Sequence, residues 1–142
     1  CRFALLIDGD DQIVKTAAGV NFPVAGRIGV IFYVSLEGTS PSLEIVPAGV
    51  HALNGVRLPV LQVRNTGTAH GRLSGFLSGT DAKQQELEFA PATFPILAGE
   101  TRFIELTATT HRGEPAQIAY PVVIHGKIEW GDRQIPFEQR FE

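Results

Sequence analysis

Short runs of β-branched and aromatic residues recur along the chain, each bounded by glycine, proline, asparagine or aspartate. Such runs are typical of β-strands, and the bounding residues are those that turns require. No stretch of a dozen residues has apolar positions at the three- and four-residue spacing of a helix, so the sequence predicts an all-β protein. The expected strands are Arg2–Ile7, Val20–Val24, Ile28–Leu36, Ser42–Val46, Arg57–Asn65, Gly71–Ser78, Gln85–Phe89, Thr101–Thr107, Ala119–Trp130 and Arg133–Phe141.

Composition narrows the class of protein. With 142 residues, 44% of them hydrophobic, the chain is long and apolar enough to bury a core. Its net charge of −3 gives no basic face for nucleic acid. No apolar run approaches the roughly 18 residues of a membrane-spanning helix, so no membrane span is expected. The single cysteine, Cys1, excludes an internal disulfide and is open to being a native start, a lipidation site or a truncation point.

A domain boundary is predicted near the segment LEGTSPSLEI, where Gly38 to Pro41 interrupt the strand pattern. Residues 40–142 have the length and strand count of an immunoglobulin-like β-sandwich of about seven strands. Residues 1–39 hold only two or three strands, which cannot bury a core alone. We therefore expect them to be the terminal strands of a second, incomplete Ig-like domain, or to pack on the second domain or on another chain.

The run from Gly26 to Gly38, GRIGVIFYVSLEG, lacks the alternation of a strand with one face in water. A continuous apolar run indicates a strand covered on both faces. One face is expected to lie in the core of the first domain and the other in a cleft against the second domain. In a chain without the earlier strands of that domain, the run is expected to be exposed and to self-associate through the N-terminal strands.

Several segments carry a resemblance to a known family. They are RFALLI (residues 2–7), VNFPVAGRIGVIFYV (20–34), SPSLEI (40–45), LQVRNTGTAHGRLSGF (61–76) and PILAGETRFIEL (95–106). In order along the chain, the first two segments resemble the last two strands of the first domain of the PapD-like periplasmic pilus chaperones, and the other three resemble parts of the second domain. The resemblance covers the end of the first domain and the whole second domain. The resemblance implies two Ig-like domains, a periplasmic location, and a role in pilus (fimbrial) assembly with pilin-like or other secreted subunits as partners.

In that family, the last strand of the first domain supplies alternate apolar side chains to a partner subunit that lacks a strand. This is β-strand addition, in which backbone hydrogen bonds give affinity and alternate side chains fill pockets. Carried over by position, the partner-binding strand consists of Val20, Phe22, Val24, Arg27, Ile28, Val30 and Phe32. The alternative is that Val20, Phe22 and Val24 all face the core of their own sandwich. Pro23 cannot donate to a ladder, which predicts an edge strand there.

One position departs from the family pattern. Gly29 stands where the family has a lysine that binds the carboxylate at the end of its partner. The resemblance therefore does not supply that anchor. It leaves open a diverged relative with another client, or a protein that is no longer a chaperone.

No catalytic or metal-binding pattern emerges. His51, His70, His111 and His125 lack the spacing of metal ligands and are expected to be surface or hydrogen-bonded residues. No serine lies in a G-x-S-x-G setting. Trp130 is expected to anchor the core or rim of the sandwich. We therefore expect no enzyme activity, no cofactor, no metal and no catalytic residues.

Together these features predict a non-catalytic protein that binds partner polypeptides by strand addition, as an exported assembly chaperone does. Two alternatives stay open. One is a structural or adhesive Ig-like module of a surface or secreted protein, and the other is an accessory domain of an enzyme.

Overall fold

The computed structural model describes residues 2–10, 12–15, 19 and 21–142. In these residues the secondary structure is entirely β, which confirms the predicted all-β class. These residues contain no helix, so they include no helix with the length and hydropathy of a membrane span. The chain divides into two compact units, residues 1–34 and 35–142.

The first unit contains two separate antiparallel pairs of strands. Strand β1 pairs with β4, and β2 pairs with β3. Their bounds are Arg2–Asp8 for β1, Gln12–Lys15 for β2, Asn21–Val24 for β3 and Arg27–Tyr33 for β4. The short strand β2 was not predicted, because its two apolar residues lie among polar ones that suggest a turn. The predicted run Ile28–Leu36 ends earlier, at Tyr33.

The second unit is a seven-stranded antiparallel sheet in the order β11-β10-β7-β8-β9-β6-β5. It curls until its two edge strands, β5 and β11, approach each other, as in a β-sandwich. The strand bounds are Leu43–Leu53 for β5, Val56–Asn65 for β6, Ser74–Thr80 for β7, Glu86–Pro91 for β8, Thr101–Thr109 for β9, Val122–Trp130 for β10 and Arg133–Phe141 for β11. The expected number of strands in this unit is confirmed.

Alternation along these strands builds one core. In β8, for example, Leu87 and Phe89 are buried while their neighbours Glu86 and Glu88 are exposed. Each large apolar side chain that is fully buried contributes roughly 1.5–3 kcal/mol to folding. Trp130 also lies in this core, as predicted, although no hydrogen-bond partner for its indole nitrogen is found in the described part of the chain.

Two turns predicted from sequence are formed. Trp130 pairs with Arg133, so Gly131 and Asp132 make a two-residue hairpin turn between β10 and β11. Asn65 ends β6, and its side chain is completely buried beneath the connection to β7. The Asn65 side chain fixes the course of this connection because it makes hydrogen bonds with the backbone of Gly67 and Ala69.

Candidate functional site

The pairing of β1 with β4 separates their side chains into two different faces. Directly paired residues on antiparallel strands project to the same side, and successive residues alternate. Phe3 pairs with Phe32, Leu5 with Val30, and Ile7 with Ile28. These six residues form what we call the six-residue apolar face: Phe3, Leu5, Ile7, Ile28, Val30 and Phe32.

The six-residue apolar face is exposed to solvent. Phe3 is 54% exposed and Ile28 is 64% exposed, and the other four side chains are also exposed. At one end, the rings of Phe3 and Phe32 stack with their centroids 5.0 Å apart and their planes 11° apart. These side chains are therefore exposed in the described residues, while the cover expected on the two faces of this run remains a prediction.

The opposite face of the β1–β4 sheet has a different character. It carries Arg2, Asp8 and Arg27, with an ion pair between the Asp8 carboxylate and the Arg27 guanidinium. Gly29 lies on this face beside Leu6, and a methyl group added to Gly29 would lie 3.4 Å from the nearer Leu6 methyl carbon. Charge on one face and none on the other gives this small sheet a defined apolar side.

The hydrogen bonding of β4 leaves one edge without a strand. The Gly9 amide donates to the Gly26 carbonyl over 2.8 Å. In an antiparallel ladder, bonded and non-bonded pairs alternate, so the backbone groups of Ile28, Val30 and Phe32 point to β1. Those of Arg27, Gly29 and Ile31 point to the other edge, where no further strand pairs with β4 in the described part of the chain.

This edge of β4 lacks the features that usually block strand pairing. Natural edge strands carry proline, bulges or charges that deter another strand. In the second unit, edge strand β5 contains Pro47 and a register shift beside it, and edge strand β11 contains Pro136. Strand β4 has no proline and no register shift, and its only charged residue is Arg27, at its start.

The predicted partner-binding residues fall into three groups. Val20 lies outside the described residues. Phe22 and Val24 lie on β3, paired with Val14 and Gln12; their side-chain directions remain a prediction. The prediction that Pro23 marks an edge strand is confirmed, because β3 pairs with β2 alone in the described residues. The other predicted residues all lie on β4: Arg27, Ile28, Val30 and Phe32.

The structure adds residues that the sequence did not assign to the site. Phe3, Leu5 and Ile7 of β1 complete the apolar face that Ile28, Val30 and Phe32 begin. The odd-numbered apolar positions in RFALLI were a signal, but only the pairing with β4 places them on one face with that strand. Conversely, β3 and β4 belong to different sheets and not to one continuous ladder.

Two of the histidines, His51 and His111, make polar contacts on the surface. His111 lies on the surface, with Nδ1 2.8 Å from Glu88 Oε1 and Nε2 3.5 Å from Glu86 Oε2. These hydrogen bonds, first from Glu88 and then from Glu86, raise the pKa of His111 above 6.5. His51 contacts the Ala48 carbonyl over 3.1 Å. No group of three ligating side chains suited to a metal ion occurs in the described residues.

Asp81 is a buried carboxylate that joins two loops of the second unit. Its Oδ1 accepts from the amides of Lys83 and Gln85 over 2.8 and 2.9 Å, and its Oδ2 accepts from the Ala119 amide over 3.1 Å. Burial alone would raise the pKa of Asp81, but these amides outweigh it and hold the pKa below 3.8. The carboxylate is thus more stable in the folded state than in the unfolded one.

We expect Asp81 to contribute to acid sensitivity. A lowered pKa in the folded state gives stability that is present above pH 3.8 and is lost as the pH falls through the folded value. At pH 7, Asp81→Asn is expected to cost about 2 kcal/mol, since Nδ2 cannot accept the Ala119 hydrogen bond. Urea unfolding followed by Trp130 fluorescence should show that the difference in free energy of unfolding between Asp81→Asn and the native chain becomes smaller below pH 3.8. A difference that does not change with pH would contradict this role. Asp132→Asn, at an exposed residue, is the control.

Comparison with known proteins adds no family to these observations. The chain matches no family model, no curated protein and no solved structure.

Proposed function

We propose that this chain is a non-catalytic protein that binds partner polypeptides by adding a β-strand to the outer edge of β4. The unblocked edge of that strand, with an apolar face beside it, carries the proposal. Edge backbone groups of Arg27, Gly29 and Ile31 would bond the incoming strand. The side chains of Ile28, Val30 and Phe32 would lie beside alternate residues of the incoming strand, which would extend the apolar face.

The finer proposal is an assembly chaperone similar to those of pilus biogenesis, exported to the periplasm and acting on pilin-like or other secreted subunits. The β-sandwich of the second unit supports it, since its strand number fits an Ig-like domain. The apolar positions of β4 are those expected of a donor strand. Gly29 stands at the position of the family's lysine. The proposed client is therefore held by strand pairing, with no side chain at that position to bind its terminal carboxylate.

A second candidate is a structural or adhesive Ig-like module. Phe76, on the outer side of β7, favours it, because this aromatic side chain is 95% exposed. Exposed aromatic residues often anchor protein contacts. Such a module would bind through its second unit and would not depend on the edge of β4.

The test of strand addition removes one edge hydrogen-bond donor. Ile31→Pro deletes an amide that points away from β1, so the β1–β4 pairing is expected to survive while binding falls about tenfold. Ile31→Ala keeps the amide and is the matched control. The probe is an immobilised series of 15-residue peptides that alternate Val, Ile or Phe with Ser or Thr, read by biolayer interferometry.

The peptides also carry their own control, in which the same residues are scrambled so that alternation is lost. Equal binding by Ile31→Pro and Ile31→Ala would overturn strand addition at this edge. Equal binding of the alternating and scrambled peptides would do the same. Peptide binding that is equal in Ile31→Pro and Ile31→Ala would favour the adhesive module, which does not depend on the edge of β4.

A further inference from the structure

The six-residue apolar face is distinct from the edge of β4, and what covers this face is a separate question. An isolated pair of strands is marginally stable in water, and it gains stability when a second layer covers its apolar side. In the described residues this face is open: Leu5 is 50% exposed, and Phe3 and Ile28 are more so.

We propose that a second copy of this chain covers the six-residue apolar face, forming a symmetric dimer in which two β1–β4 sheets pack face to face. In a two-fold dimer the same patch meets itself. This proposal concerns the face of the sheet and needs no client, so it stands or fails independently of strand addition at the edge.

Charge selects this face over the opposite one. All six side chains are uncharged, so a two-fold axis through the apolar face sets no like charges against each other. The opposite face carries Arg2, Asp8 and Arg27. A dimer built there would bury Arg2 and the ion pair of Asp8 and Arg27, and desolvating these charges is costly.

The available area is sufficient for a weak dimer. Six side chains of this size and exposure present on the order of 500 Å² of apolar surface, by the usual area of such residues. Two copies would therefore bury about 1,000 Å², the lower limit for a specific interface. Association in the micromolar range follows, because interfaces at that limit leave little surplus after the entropy of association.

Geometry also favours sheet-on-sheet packing. Two sheets pack face to face about 10 Å apart with interdigitated side chains. Each strand contributes one aromatic and two aliphatic side chains to this surface, with the stacked pair Phe3 and Phe32 at one end, and these side chains differ in size enough to interdigitate. The result would be a four-stranded sandwich contributed equally by two chains.

Two adjacent leucines give a matched test. Leu5 belongs to the apolar face, while Leu6, next to it on β1, projects from the opposite face and is 58% exposed. Sedimentation equilibrium of the native chain is expected to show a monomer–dimer equilibrium. Leu5→Lys should weaken dimerisation at least tenfold, and Leu6→Lys should change it less than threefold.

A cross-linking measurement covers the case in which Leu5→Lys disrupts the strand pair itself. In a Cys1→Ser background, Leu5→Cys is expected to yield a disulfide-linked dimer on mild oxidation, and Leu6→Cys is not. The proposal is overturned if the native chain stays monomeric at about 200 micromolar, a concentration well above a micromolar dissociation constant. It is also overturned if both leucine positions behave alike, or if assembly continues beyond the dimer.

Discussion

Gly67→Ala is expected to lower the free energy of unfolding of the second unit by about 3 kcal/mol, because the added methyl has no room. A Cβ atom at Gly67 would lie 2.4 Å from both the Ser40 carbonyl oxygen and the Ser42 amide nitrogen, and 2.8 Å from the Pro41 carbonyl carbon. These are backbone atoms, so relief requires the segment that enters β5 to move. A loss of this size is a large share of the roughly 5–15 kcal/mol of a typical domain.

Urea unfolding measures this effect, with Trp130 as the only tryptophan of the chain and a member of the core of this unit. Gly113→Ala is the matched control. Gly113 has a φ of +77° but no neighbouring atom within 4 Å of an added Cβ, so it should cost only about 1 kcal/mol of left-handed strain. Equal losses at the two positions would show that the close approach at Gly67 is relieved without cost.

Asn65→Leu has the second large expected effect, about 3 kcal/mol, because the variant removes four hydrogen bonds that a buried side chain makes to the backbone. Asn65 is completely buried, and its Nδ2 donates to the carbonyls of Ala69 and Ile96 over 2.8 and 2.9 Å. Its Oδ1 accepts from the amides of Gly67 and Ser42 over 2.9 and 3.3 Å. Leucine has a similar size but satisfies none of these groups.

The same urea unfolding experiment tests the role of Asn65. An unchanged slope of the free energy of unfolding against urea concentration would show that the folded and unfolded states are as compact as in the native chain. Thr66→Ala, at the exposed neighbouring residue, is the control and should cost less than about 1 kcal/mol. If Asn65→Leu is no more costly than Thr66→Ala, the buried hydrogen bonds do not fix this connection. Asn65 and Gly67 act on the same turn, so their effects should not be additive.

These two residues show how far local sequence reaches. The segment RNTGTAHG predicts a turn because asparagine and glycine tolerate turn conformations. Sequence alone does not say that Asn65 also bonds Ile96, which lies 31 residues away, or that Gly67 packs on the backbone of residues 40–42. Those contacts depend on which strands become neighbours.

The candidate site divides in the same way. The apolar positions of β4 and the departure at Gly29 are legible in the sequence. The contribution of Phe3, Leu5 and Ile7 is not, because it depends on β1 pairing with β4 in one particular register. A shift of one residue in that register would place Ala4 and Leu6 on the apolar face instead.

By itself, the sequence determined that this chain is built of β-strands, where most of them lie and which of their residues are apolar. Side-chain alternation and turn residues act over a few positions, so a local pattern records them. Only the tertiary structure decided that β3 and β4 join different sheets, that one face of the β1–β4 sheet is wholly apolar, and that no further strand of the described residues pairs with the outer edge of β4. Pairing and register bring together residues as far apart in sequence as Ile7 and Ile28 or Phe3 and Phe32, and no local pattern encodes that choice.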